Sequence, residues 1–419
     1  MTIQQRQNTD RKPTSLFFRY WSATAISGAG SAMTAVALPL TAMLVLNASA
    51  FEVSLITAAS YVAWIVLGLP AGVITQRLPL RTMQVTMDLT RAVAIGSVPL
   101  AWWLGHLTVA QLALVALVMS CATVLFDVSN STFVPAVVDH ADLTSRNSLL
   151  SGTDAVTQLG GPSLGGVLVQ LLSAPTTLLV DAVSYLVSAV LLRTLPAGVL
   201  QRPASSPRIS TMIREGWRFV IGHPVMRPCA AVAAIINFVS GGLMALVPVY
   251  LVRGLHQPPS VVGVLIATEG VGGLVGAALT TRISKAVGSA RAVLCAGITL
   301  VVAALLMPAA HGVPGLVLFG IGNAGVAGSV AVVSINTRTH RQMASPPELL
   351  SRVMATVRFV TWGVVPVGSV LAGVTATVLG PHGALWIFCA LACLAPLVLL
   401  STPVRHLREL TDQDRPARS

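Results

Sequence analysis

The chain is 419 residues long, with 54% hydrophobic and 10% charged residues and a formal net charge of +12. So little polar surface cannot dissolve a globule of this size, which excludes a soluble enzyme or binding domain and points to lipid as the solvent. The basic residues are spread among loops instead of gathered on one face, which argues against a nucleic-acid partner and for anionic lipid headgroups.

In chain order, Met1 to Pro13 is polar and basic and runs into an apolar stretch long enough to span a bilayer, so the first span acts as its own insertion signal. Hydropathy predicts twelve spans, at about 17–45, 53–76, 82–104, 107–130, 148–172, 175–194, 228–252, 258–281, 288–309, 312–336, 353–379 and 382–402. Nearly all basic residues fall in alternate gaps. Retention of positive loops in the cytoplasm puts both termini inside, with Arg253 alone in an outer gap and Arg91 and Arg358 within spans. Arginine outnumbers lysine, of which only Lys12 and Lys285 occur, and this bias is read as GC-rich coding in a bacterium. The expected location is the bacterial plasma (inner) membrane.

The longest gap divides the chain into residues 1–195, a linker at 196–227, and residues 228–419, each flank holding six spans. Pro196, Pro203, Pro207 and Pro224 mark the linker. Within it Ile209, Met212, Ile213, Trp217 and Val220 recur at helical spacing. Two readings stay open: a helix lying in the cytoplasmic interface, or one packed on the bundle ends. The halves also echo one another. Gly68 and Gly72 in the second span match Gly272 and Gly276 in the eighth, and Asp154 precedes Pro162 by eight residues as Arg358 precedes Pro366. Paired glycine-rich and proline-interrupted helices are what rocking bundles require.

Gly161, Pro162, Ser163, Leu164, Gly165 and Gly166 form the strongest local motif, a kink with room for a close neighbour. It resembles the GPxxGG motif of the antiporters of the major facilitator superfamily. The loop Gly72 to Thr82 is similar to that superfamily's gating loop: Gly72, Arg77 and Arg81 match, while Gln76 stands where an acidic residue is usual. The segments from Asp88 to Arg91, from Leu178 to Tyr185 and from Trp362 to Gly368 resemble the branch of macrolide efflux permeases and the enterobactin exporter. The resemblance implies an all-α membrane protein, twelve helices in two pseudo-symmetric six-helix bundles, and secondary transport that exchanges a cytoplasmic substrate for a proton. It also implies that Asp127 pairs with a gating-loop arginine, as a switch or as a static ion pair.

Charges within spans are costly and mark function or pairing. Glu269, midway along the eighth span, is the candidate proton carrier, with a structural carboxyl as the alternative. Asp154 and Arg358 are candidate gating or structural groups, and Asp88 and Arg91 are spaced to satisfy each other. Asn237, Asn323 and Asp181 are possible cavity residues, although interhelical bonding is the commoner use of such groups. No cofactor, ATP site or metal is expected: no lysine follows a glycine, and Cys121, Cys229, Cys295, Cys389 and Cys393 lack ligand spacing. All eight histidines lie at span edges, in gaps or in the tail, which disfavours an intramembrane enzyme. A monomeric exporter of a hydrophobic or amphipathic small molecule is the expected function. Siderophore export and nutrient uptake are the alternatives.

Overall fold

The computed structural model describes residues 14–67, 71, 79–137, 143–195, 209–310 and 312–412. Gly72 and Arg77 of the predicted gating loop, and Gly68, lie outside the described residues. Thirteen α-helices follow one another among the described residues: α1 (Thr14–Val45), α2 (Ala50–Leu67), α3 (Leu80–Trp103), α4 (Val109–Val137), α5 (Leu143–Leu172), α6 (Ala174–Arg193), α7 (Ile209–Gly222), α8 (Met226–Val249), α9 (Pro259–Val287), α10 (Ser289–Leu306), α11 (Gly312–Ala344), α12 (Pro347–Leu391) and α13 (Leu394–Leu400). No strand occurs among the described residues.

Ten stretches of the described residues are long and apolar enough to cross a membrane. Two details reconcile them with twelve spans. Arg352–Leu400 is a single stretch of 49 residues that doubles back at Gly380, whose φ of 72° breaks the helix before Pro381. Helix α3 is 24 residues long, about 36 Å, but Asp88 and Arg91 lower its hydropathy. The last span also departs from the single helix predicted over 382–402. Pro396 has no N–H to bond the Ala392 carbonyl, and the chain turns at Ala392 and Cys393 before resuming as α13.

In the N-terminal half α1 packs on α5 and α6, α3 on α4 and α6, and α2 on α4. In the C-terminal half α8 packs on α12, and α11 on α9 and α10. Each half closes around its own apolar core, centred on Leu40, Ile56, Ile95, Leu112 and Leu178 in one and on Val232, Leu246, Val293, Phe319 and Phe388 in the other. The halves meet along two seams, α5 with α9 and α2 with α12.

At the end formed by the α1–α2 and α8–α9 turns, the distal end, these seams are shut. Arg253 donates to the Ala48 carbonyl, Val249 enters the N-terminal core, and Gly373 brings α12 onto Phe51 and Ser54 of α2. At the opposite end, the proximal end, α7 packs on α12. Glu215 pairs with Arg352, Gly216 abuts the Arg352 backbone, and Val220 is buried with Met226, Val353 and Val357. The linker helix thus packs on the bundle end. Trp217 and Ile221 remain on its open side.

Candidate functional site

The GPxxGG segment positions the seam. A Cβ at Gly161 would strike Ala32 of α1, and one at Gly165 would lie 2.9 Å from the Met33 carbonyl of α1. A Cβ at Gly166 would lie 3.0 Å from Cα of Gly263, and the reverse holds at Gly263. The motif thus presses α5 against α1 within its own half and against α9 of the other half. Pro162, by lacking a donor, frees the backbone to bend there.

Helix α9 is read face by face at about 100° per residue. Gly270 rests on Leu159 and the Gln158 carbonyl of α5, Gly272 and Gly276 rest on Ala324 and Gly328 of α11, and Val271 lies on the outer surface. The remaining arc carries Glu269 and Gly273 toward the gap between the halves, where a Cβ at Gly273 would meet nothing within 4 Å. Glu269 is exposed there, within electrostatic range of Tyr61 on α2. It makes no hydrogen bond or ion pair among the described residues. Asn323 sits behind it, donating to the Leu265 carbonyl and to Thr268 Oγ1 at 3.1 Å each, so this predicted cavity residue ties α11 to α9 instead.

The same gap is lined by aromatic rings. Trp362 of α12 lies 6.1 Å from the Tyr61 ring and 5.4 Å from that of Trp64. The Arg358 guanidinium sits 4.4 Å over Trp64, one turn before Trp362. Asp127 and Asp154 are exposed at the proximal part of this gap and are electrostatic neighbours of each other. Asp127 is drawn to Arg91 and Arg358, not to Arg81, so the predicted pairing with the gating loop is not found among the described residues. Asp154 and Arg358 form no ion pair with each other. Arg358 finds its partners in Trp64 and Asp127.

A second polar network is sealed inside the N-terminal half. Asp88 pairs with Arg91 one turn along α3, as their spacing predicts, and accepts from Ser188 Oγ at 2.6 Å. The Arg91 guanidinium lies between the rings of Phe126 and Tyr185, at 4.4 and 4.5 Å, and Tyr185 is hydrogen bonded to Ser31 at 2.7 Å. Asp181 accepts from Thr34 and Ser184 and is fully buried. It therefore has no place in a substrate cavity and joins α6 to α1. Asn237, half-buried, spends its amide on the Ala233 carbonyl one turn back.

A family model described as a transmembrane secretion effector matches residues 13–417. The chain belongs to this family of major facilitator transporters. The chain is 27% identical over 427 residues to the multidrug efflux pump Tap of Mycolicibacterium fortuitum, covering 97% of this chain and 98% of that one. Its fold matches a variant of the nucleoside transporter NupG, with a TM-score of 0.79 at 10% identity over 92% of this chain and 99% of the other. A bacterial homologue of the iron transporter ferroportin matches in two states. The inward-facing one gives a TM-score of 0.73 at 18% identity over 93% and 99% of the chains, and the outward-facing one 0.60 at 16% over 92% and 98%. The chain is thus a multi-pass membrane transporter.

The sequence singled out Glu269 and the GPxxGG motif, and both lie on the gap or its seam. It did not single out Tyr61 and Trp64 as site residues, although two aromatics one turn apart in a chain with only 5% aromatic residues were a readable signal.

Proposed function

We propose that this transporter exports hydrophobic or amphipathic small molecules from the bacterial cytoplasm across the plasma membrane in exchange for protons. The observation that carries the reading is Glu269: a carboxyl in the middle of a membrane helix, open to the gap between the halves and without a hydrogen bond or ion pair among the described residues. A charge left unpaired at that depth is tolerated where water or a ligand reaches it, and it is the group on which proton and substrate can compete. Tyr61, Trp64 and Trp362 supply the apolar surface such a substrate needs. Three carboxyls (Asp127, Asp154 and Glu269) against one guanidinium (Arg358) favour neutral or cationic compounds over anionic siderophores.

Residues 1–195 and 228–419 act as the two rocking bodies, with 196–227 as the strap between them and both termini in the cytoplasm. The shut distal seams, together with the better match to the inward-facing reference structure, support an inward-facing state here. Rocking separates Gly166 from Gly263 and opens the outer side. The working unit is one chain. Expression in an efflux-deficient host, with resistance and accumulation measured over a chemically broad panel, tests the reading. A compound kept out by the wild-type chain supports export, whereas increased accumulation of every responsive compound would overturn it.

A further inference from the structure

A groove of about 370 Å³ runs along the outside of the C-terminal half, away from the gap between the halves. Its walls are Val275 and Leu279 on α9 and Cys295 and Thr299 on α10, and its floor is α11 at Gly325 and Ser329. The depth comes from missing side chains. Gly272 and Gly276 hold α9 against the backbone of Ala324 and Gly328, so the floor is nearly bare helix. From Val271 to Ile283 the groove extends about 18 Å along α9, slightly more than one leaflet of a ~30 Å hydrocarbon core.

Its proximal end is ringed by cations. Arg282 immediately precedes the lining residue Ile283, Arg291 immediately precedes Ala292, and Lys285 lies one turn beyond Arg282. All three are exposed and none makes a hydrogen bond or ion pair among the described residues. The nearby carboxylate, Glu409, is already engaged by the backbone N–H and hydroxyl of Ser289 at 3.0 and 2.6 Å. An apolar slot one leaflet deep, capped by unneutralised positive charge where headgroups lie, has the shape and charge of one class of ligand. We infer that this groove is a binding site for an anionic glycerophospholipid, an acyl chain lying between α9 and α10 and the phosphate held by Arg282 and Arg291. Because α9 also carries Glu269 and the Gly263 seam, a lipid seated here stiffens the helix that rocking must move.

The test uses the full chain, delipidated in detergent, with added phosphatidylglycerol or phosphatidylcholine, and counts retained lipids by native mass spectrometry. Wild-type protein retains one phosphatidylglycerol in preference to phosphatidylcholine. The double variant R282Q/R291Q weakens that retention about 25-fold, at about fivefold per arginine. Cys295→Trp, which fills the slot, removes it with the arginines intact. The variant R214Q/R218Q loses the same charge from α7 and serves as the control, so elution as a monodisperse peak checks the fold of all three. Equal retention of both lipids by the wild type, or equal loss in the α7 control, would overturn the proposal.

Discussion

The close approach of Gly166 and Gly263 makes Gly166→Ala the most informative single change in the seam. An added Cβ would sit 3.0 Å from Cα of Gly263 and closer still to the Pro259 carbonyl, both backbone atoms of α9 that cannot turn aside. Overpacking of this kind costs about 1–3 kcal/mol. In the proposed cycle the contact exists only while the outer side is shut, so the whole cost falls on that state and shifts the balance toward the open one by about 5–150-fold. Gly160, less than two turns earlier on α5, provides the control, because a Cβ there would meet nothing within 4 Å. Spin labels at exposed His106 and His256, in a cysteine-free background, report the separation of the two halves at the distal end. Gly166→Ala should populate a longer distance and Gly160→Ala should leave the wild-type distribution. Identical distributions for all three proteins would refute the assignment of this glycine pair to the gate.

Arg91→Ala leaves Asp88 buried without its counter-ion and removes the cation between Phe126 and Tyr185, so it should destabilise the protein by about 3–5 kcal/mol, seen as a lowered melting temperature in detergent. Arg91→Lys should recover little of this, since an ammonium lacks the planar face that stacks between two rings. Gly216→Ala places a Cβ 2.6 Å from the Arg352 carbonyl and should lift α7 from α12, speeding trypsin cleavage of the linker about fivefold or more relative to wild type. Trp362→Ala removes two ring contacts in the gap and should change the relative export of bulky aromatic and small compounds by about two- to tenfold, read as shifts in inhibitory concentration across a panel.

Much of this was written into the sequence because lipid imposes simple rules. Apolar runs of span length gave twelve crossings, and the structure alters only the last, where Pro396 divides one helix into two. The i, i+3 spacing of Asp88 and Arg91 was enough to pair them. What could not be read was the direction in which each polar group points. Asp181 and Glu269 are both acids within spans, yet Asp181 is enclosed by Thr34 and Ser184 while Glu269 faces the gap, because the glycines beside Glu269 commit the other faces of α9 to α5 and α11. Nor could it be read that Asp127 stands near Arg91 and Arg358, which are distant from it in sequence. The groove on α9, α10 and α11 left no local pattern at all, since it is made by the absence of side chains on three separate helices.

Glu269→Gln, which keeps the shape of the side chain and removes its charge, tests the central claim most directly. Wild-type and variant proteins are reconstituted into vesicles with a compound taken from the resistance panel, and substrate and proton fluxes are recorded together under an imposed pH gradient. The account predicts that the wild type couples opposite fluxes and that the variant loses gradient-driven transport while still binding substrate and running as a folded monomer. Full gradient-driven transport by the glutamine variant would contradict it.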